Sequence, residues 1–171
     1  MKQKAFMGVD IGLNGAIVVI HENGLVNTHV IPKVGDKIDD GALFEAFQEY
    51  SEYDLYIMLE DVHSLFGMSA KSNFSFGATF GKKQMAAAIM GRLYGSKLDY
   101  ITPKKWQAAI WTTNDKVYKS GTKIDTKKTS LLASKRLFPE HNFIASSRSR
   151  VPHDGIVDAA LIALYCKQKH S

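Results

Sequence analysis

The first third of the chain alternates short apolar runs with turn residues. Apolar positions over 5–9 and 16–20 predict two buried strands, and Gly-Leu-Asn-Gly at 12–15 supplies the turn between them. A second turn with Asn-Gly at 23–24 precedes a third strand over 25–31, which Pro32 ends. This pattern predicts a three-stranded antiparallel meander.

The remaining chain alternates helical and extended patterns. We predict helices over 39–50, 81–93, 102–110, 127–138 and 152–169, strands over 55–60 and 98–101, and loops over 67–80, 112–128 and 145–150. Three antiparallel strands followed by alternating helices and strands indicate an α/β fold with a mixed five-stranded sheet flanked by helices. The sequence shows no repeat or linker, so we expect a single domain over 1–171.

Composition narrows the class of protein. At 171 residues, 45% of them hydrophobic, the chain suits one compact domain. The only cysteine, Cys166, excludes an intrachain disulfide and lies in an apolar run where a buried position is expected. No secretory signal and no apolar run of roughly 18–20 residues is present, so we expect a soluble, cytoplasmic protein without a membrane partner.

Charge is unevenly distributed along the chain. The net charge is +5, with basic residues frequent from Lys82 onward and acidic residues concentrated before position 62. This distribution permits a polyanionic partner such as nucleic acid.

Two predicted core strands deliver a carboxylate to their carboxyl ends, Asp10 after 6–9 and Glu60 after 57–59. Ligand sites in α/β sheets favour that edge, and a carboxylate is costly to bury unless it is paired or bound to metal. The alternatives are that Asp10 caps the following turn and that Glu60 is a solvated strand end.

A second pair of acids, Asp154 and Asp158, lies four residues apart at the start of the last predicted helix. That spacing places both on one helix face, where like charges repel and a divalent cation would relieve the repulsion. Oxygen ligands suit Mg²⁺ or Mn²⁺, and two such ions can catalyse phosphodiester hydrolysis. Asp154 has the alternative role of N-cap.

These segments together resemble RuvC-type Holliday junction resolvases, in the right order along nearly the whole chain. The first-strand motif is Gly-Val-Asp-Ile-Gly at 8–12, the fourth-strand motif is Ile-Met-Leu-Glu-Asp-Val at 57–62, and the helix motif spans 153–163. Segments 72–77, the helix from Gly81 and Thr-Pro-Lys-Lys-Trp at 102–106 resemble RuvC-related proteins encoded by bacteriophages.

The resemblance implies a ribonuclease H-like, Mg²⁺-dependent, dimeric endonuclease that makes paired nicks across four-way DNA junctions, in the bacterial host cytoplasm if the protein is phage-encoded. It implies metal ligation by Asp10, Glu60 and Asp158, with Asp154 as the fourth ligand. In the bacterial pattern the last two acids are three apart, whereas here they are four apart. His153 is therefore a candidate substitute for the fourth ligand or a proton-transfer assistant, and the alternative is a solvated helix-start residue.

DNA contacts are expected from an aromatic and basic segment and from clustered lysines. Exposed aromatics can stack on unpaired bases, and the alternative is that the phenylalanines of this segment pack in the core. Phe66, beside Gly67, is the one that we expect to be exposed. Lysines contact phosphates without reading sequence, unless they simply form a solvated face. The candidates are Phe66, Lys71, Phe74, Lys82, Lys83, Lys104, Lys105, Lys116, Lys119, Lys123, Lys127 and Lys128.

Three questions stay open from the sequence. The helix over 81–93 either forms the dimer interface or lies buried in the core. An actin-like or sugar-kinase fold also opens with Asp-x-Gly, but it needs two domains and the chain has room for one. Other ribonuclease H-like nucleases, acting on RNA–DNA hybrids or flaps, would share the acids, as would a non-catalytic junction-binding module with the same fold.

Overall fold

A five-stranded mixed sheet forms the centre of the protein. The computed structural model describes residues 2–62, 67 and 69–171. The strands formed by these residues are β1 (Lys4–Val9), β2 (Ala16–His21), β3 (Val26–Val30), β4 (Lys33–Val34), β5 (Lys37–Ile38), β6 (Asp54–Glu60), β7 (Lys97–Ile101), β8 (Tyr118–Ser120) and β9 (Lys123–Ile124). The helices are α1 (Asp40–Gln48), α2 (Ala70–Tyr94), α3 (Pro103–Ile110), α4 (Thr126–Leu137) and α5 (Asp154–His170), with a 3₁₀ turn at Thr113–Asp115.

The central sheet has the order β3-β2-β1-β6-β7. The first three strands form the antiparallel meander that the turns predict, and β6 and β7 then add in parallel beside β1. The predicted mixed five-stranded sheet is therefore confirmed, and the carboxyl ends of β1, β6 and β7 meet at one edge.

Alternation along β1 separates two layers of core. Met7 and Val9 face a cluster that includes Leu43 of α1 and Met90 of α2. Phe6, which directly precedes Met7, faces the opposite layer formed by α3, α4 and α5. Successive strand residues point to opposite faces, so one apolar strand serves both layers. The helices cover the sheet on both faces, as expected.

Helix α5 lies directly against the backbone of β1, because β1 carries a glycine at the crossing point. A Cβ on Gly8 would stand 2.2 Å from the carbonyl oxygen of Ala159 and 2.3 Å from the nitrogen of Ala163. A second close contact joins Gly15 to Gly155 as a parallel bridge. These two contacts fix the start of α5 beside the loop that follows β1.

The predicted loop over 67–80 is wrong from Ala70 onward, because these residues form the first turns of α2. Ser69 caps the helix, its Oγ accepting a hydrogen bond from the backbone nitrogen of Ser72 at 3.1 Å. Glycine and serine made the segment resemble a loop, but a Ser cap can start a helix whose composition is otherwise unfavourable.

The prediction of a polar loop over 112–128 is also wrong, because most of this segment has regular secondary structure. It contains the 3₁₀ turn, the β8–β9 hairpin and the first turn of α4. Buried Asp115 anchors it, since its carboxylate accepts hydrogen bonds from Thr112 and from the Arg136 guanidinium, the latter at 2.7 Å and 3.0 Å.

The burial of Cys166 and the composition of the helices test two further predictions. Cys166 is fully buried, as expected from its apolar neighbours. None of the helices in the described part of the chain combines the length and apolar character needed to cross a membrane.

Candidate active site

Asp10 and Glu60 stand side by side at the carboxyl ends of neighbouring parallel strands. The register pairs Val9 with Leu59, so the next residue on each strand is an acid. Asp10 Oδ1 accepts a hydrogen bond from the backbone nitrogen of Gly12 at 3.0 Å. Glu60 Oε1 accepts one from the indole Nε1 of Trp106 at 2.9 Å. Each carboxylate is therefore held through one oxygen by a donor that belongs to the fold.

Helix α5 brings Asp154 and Asp158 to the same edge. Its N-cap is His153, whose Nδ1 accepts a hydrogen bond from the backbone nitrogen of Ile156 at 3.3 Å, so the alternative of Asp154 as the cap is wrong. Asp158, one turn further in, accepts a hydrogen bond from the side chain of Ser130 on α4.

Electrostatic coupling shows that three of the acids share one environment. The pKa of Glu60 is raised to about 7, chiefly by burial and in part by the negative charges of Asp10 and Asp158, against the opposing effect of the Trp106 hydrogen bond. Burial also raises the pKa of Asp158 to about 7, with contributions from Asp10 and Asp154. The pKa of Asp10 is raised, chiefly by burial, against the opposing effects of the Gly12 hydrogen bond and of Lys83. Such perturbed carboxyl groups cluster at functional sites.

Asp154 differs from the other three acids. Its side chain is exposed and forms an ion pair with Lys127 of α4, with Nζ and Oδ2 2.6 Å apart. Lys127 was a candidate phosphate contact, and in this structure it contacts an acid of the cluster instead. An exposed ion pair of this kind contributes little to stability, so a ligand can displace it at low cost.

The expected surface position of Lys83 is wrong. Lys83 is fully buried in α2, and its Nζ donates to the carbonyl oxygens of Gly12 at 2.6 Å and Asp10 at 3.2 Å. Burial lowers the pKa of Lys83 to about 8, against the attraction of the Asp10 charge. Lys83 therefore supports the loop after β1 from below, and its burial prevents contact with a phosphate.

The donor set fits a hard divalent cation in kind, because every candidate oxygen is a carboxylate oxygen and three of the groups are desolvated. Among residues 2–62, 67 and 69–171, no three His, Cys, Asp or Glu side chains already surround one point closely enough to hold an ion. The acids thus share a sheet edge and an electrostatic environment without forming a closed cage.

Part of the predicted DNA-binding set comes together in one crevice beside the Asp10 loop. Lys71, Phe74 and Lys82 line a cavity of about 300 Å³ together with Leu13 and Lys37. The side chain of Phe74 is 80% exposed, contrary to the alternative that it packs in the core. Lys82 also pairs with Asp40, with Nζ and Oδ1 2.6 Å apart. Phe66 lies outside the described residues.

The other candidate lysines occupy the exposed surface of α3, the β8–β9 region and the start of α4. They are Lys104, Lys105, Lys116, Lys119, Lys123, Lys127 and Lys128. Contact of these residues with phosphates stays a prediction, since exposure is the property that the structure shows.

Two residues close to the acids were not identified from the sequence as part of the site. Trp106 was named only within the segment 102–106 that resembles phage-encoded RuvC-related proteins, and Lys83 was expected at the surface. A buried indole N–H needs an acceptor, and that requirement was the available signal for Trp106. No signal in the sequence separates Lys83 from its partly exposed neighbour Lys82, because both precede an Ala- and Met-rich stretch.

Comparison with known proteins gives a match in structure alone. No protein-family model matches the sequence, and no curated protein sequence matches it. The fold is similar to that of Thermus thermophilus RuvC in complex with a Holliday junction substrate, with a TM-score of 0.55, 11% identity, and coverage of 94% of this chain and 90% of that chain. A second structure of Thermus thermophilus RuvC matches with a TM-score of 0.50, 11% identity and coverage of 96% of both chains. The chain therefore has the ribonuclease H-like fold of RuvC, as the sequence predicts.

Proposed function

We propose that this protein is a metal-dependent endonuclease that resolves four-way or otherwise branched DNA by paired nicks. The observation that carries the proposal is the meeting of three desolvated, electrostatically coupled carboxylates, Asp10, Glu60 and Asp158, at one edge of a RuvC-like sheet. Junction binding by the similar RuvC structure supports the choice of substrate.

In this proposal Asp10, Glu60 and Asp158 hold Mg²⁺ or Mn²⁺, with Asp154 completing the set once it leaves Lys127. When bound, such an ion supplies Lewis acidity to a water and to the leaving oxygen of a phosphodiester, and the family resemblance favours two ions. Mg²⁺ usually keeps several waters and binds through one or two carboxylates, so it does not require a preformed cage of three.

The remaining residues near the acids have supporting roles. His153 uses Nδ1 for the helix cap, so Nε2 is the ring atom that we assign to proton transfer or water orientation at the edge of the site. The buried Lys83 holds the loop that carries Asp10 through the carbonyls of Asp10 and Gly12.

DNA is held, in this proposal, by the exposed Phe74 with Lys71 and by the lysines of α3, the β8–β9 hairpin and α4. Phe74 is suited to stack on an unpaired base near the junction centre. A two-fold dimer would match the two-fold symmetry of a four-way junction. Helix α2 buries Met90 against the core and exposes 62% of both Met85 and Leu93, so its outer face is the proposed dimer contact.

The test is a cleavage assay on a labelled synthetic four-way junction, beside linear duplex, flap and RNA–DNA hybrid, each with Mg²⁺, Mn²⁺ or EDTA. We expect paired, metal-dependent nicks near the junction centre and little cutting of linear duplex. Metal-dependent cutting of the hybrid or the flap alone would contradict the proposed substrate but support the proposed metal site. Junction binding without any cutting would instead indicate a binding module.

A further inference from the structure

Trp106 is a buried residue whose polar atom contacts Glu60, a candidate metal ligand. It is fully buried in a cluster that includes Phe6, Met58 and Leu161. Its indole Nε1 donates to Glu60 Oε1 at 2.9 Å. The bond joins α3 to the carboxyl end of β6, and α2 and β7 separate these two elements along the chain.

The chemistry of an indole makes this contact directional. The indole N–H group donates a hydrogen bond and cannot accept one. Its hydrogen bond with Glu60 is therefore a donation to a carboxylate oxygen. The ring is held by apolar packing within this cluster. A rigid donor of this kind restrains the position of one oxygen in a carboxylate that otherwise has several rotatable bonds. Glu60 Oε1 is thereby engaged, and Oε2 is the oxygen left for another partner.

Trp111 provides a natural comparison in the same protein. Its Nε1 is buried too, but it has no hydrogen-bond partner among the described residues. The chain contains two tryptophans, so one N–H serves a candidate ligand and the other serves none. The difference argues that the Trp106 contact is more than a consequence of placing an indole in this core.

We propose that Trp106 is a positioning residue that orients the Glu60 carboxylate for metal binding. The inference rests on the proposed function, because it assigns Glu60 the role of ligand. Loss of an outer-shell partner typically lowers metal affinity or activity by roughly 10–100-fold. We expect Trp106→Phe to weaken Mg²⁺ or Mn²⁺ binding by that factor and the matched variant Trp111→Phe to leave it unchanged, both measured by calorimetry.

A spectroscopic readout separates orientation from packing and does not require altering Trp106. In ¹⁵N-labelled Trp111→Phe protein the single indole N–H resonance belongs to Trp106. Titration with Mg²⁺ should shift this resonance along the same binding curve that calorimetry gives. Adding Glu60→Gln should move the resonance in metal-free protein and abolish its response to Mg²⁺.

The outcomes distinguish this inference from the function on which it rests. If the unaltered protein binds the ion, and Trp106→Phe binds it as tightly as Trp111→Phe does, the positioning role is wrong and the proposed function stands. An indole resonance that ignores both Glu60→Gln and bound Mg²⁺ would overturn the inference in the same way. If the unaltered protein binds neither Mg²⁺ nor Mn²⁺, both the proposed metal site and the positioning role are wrong.

Discussion

The acidic edge and the basic surface of this protein are built in different ways. Asp10, Glu60 and Asp158 stand on core strands or on the most buried helix, and each accepts a hydrogen bond from a fixed donor. Lys119 and Lys123 stand on a short exposed hairpin. The difference matches two physical demands, because metal-assisted chemistry needs fixed oxygen positions, whereas phosphate contacts need charge that can adapt.

The largest expected effect comes from neutralising the acidic edge. Asp10→Asn or Glu60→Gln removes a negative oxygen from the proposed metal site while preserving size. We expect cleavage of a four-way junction to fall by more than the roughly 10–100-fold that loss of an outer-shell partner costs. Junction affinity, measured by gel shift without metal, should persist because the basic surface is unchanged.

The matched control is Asp99→Asn, which changes an acid in the middle of β7. Asp99 pairs with Lys169 and His170, away from the proposed site, so cleavage should be retained. If Asp10→Asn or Glu60→Gln cuts at the unaltered rate, the assignment of the metal site is wrong.

The next effect tests the close packing that places the acids. Gly8→Ala puts a methyl group 2.2 Å from the Ala159 carbonyl, where the obstacle is helix backbone. Overpacking costs about 1–3 kcal/mol, and we expect at least the upper end here because backbone has to move. Denaturant unfolding should show the loss.

Gly81→Ala on α2 is the control for this change. A Cβ there meets nothing within 4 Å, and alanine favours a helix interior over glycine, so the free energy of unfolding should rise by up to about 1 kcal/mol. Equal stabilities for the two variants would contradict the role given to the crossing of α5 over β1.

The fold was predictable because local patterns and the packed core agree in most of the chain. Apolar runs and Asn-Gly turns defined the meander, and the acids after buried strands defined the edge of the sheet. The glycine in the Gly-Val-Asp segment was part of a recognised motif, yet its reason is tertiary: Gly8 admits the backbone of α5. The sequence motif identifies the glycine at position 8, but it does not show that helix α5 packs against it.

The missed features depend on partners far away in sequence. The buried Lys83 donates to the carbonyl oxygen of Asp10, which lies 73 residues earlier in the chain. Asp115 is anchored by Arg136 from another helix, so a polar stretch that resembled a loop has regular structure. Helix α2 begins early because Ser69 caps it, against the preference of the residues that follow. Local composition cannot contain these long-range contacts.

A third prediction compares two aspartates with opposite pKa shifts. Arg136 lowers the pKa of Asp115 to about 2, so its contribution is present above its ordinary pKa and is lost as pH falls from about 4 toward 2. Asp115→Asn should cost about 1.5–3 kcal/mol at neutral pH and much less at pH 2. Burial raises the pKa of Asp158 from 3.8 to about 7, so its ionisation lowers stability progressively between these two pH values and by its full amount above pH 7.

Metal-free Asp158→Asn protein should therefore be more stable than the unaltered protein at pH 8, and this gain should vanish near pH 4. Thermal unfolding across this pH range checks both variants. A loss of stability in Asp158→Asn at pH 8 would contradict its assignment as a desolvated site residue. Residues of functional sites commonly lower the stability of a protein in this way.

The smallest effect belongs to single lysines of the basic surface. Each Lys→Ala change at a phosphate contact should lower the slope of log affinity against log salt concentration by about 1. We expect this for Lys119 and Lys123 on the β8–β9 hairpin, and no change for Lys2, whose Nζ donates to the Ser51 carbonyl at 3.0 Å near the opposite edge of the sheet. Fluorescence anisotropy with a labelled four-way junction at several salt concentrations measures the slopes. Because each lysine acts through charge, Lys119→Arg should keep the slope of the unaltered protein, and a slope lowered equally by Lys2→Ala would show that the hairpin is not the DNA-binding surface.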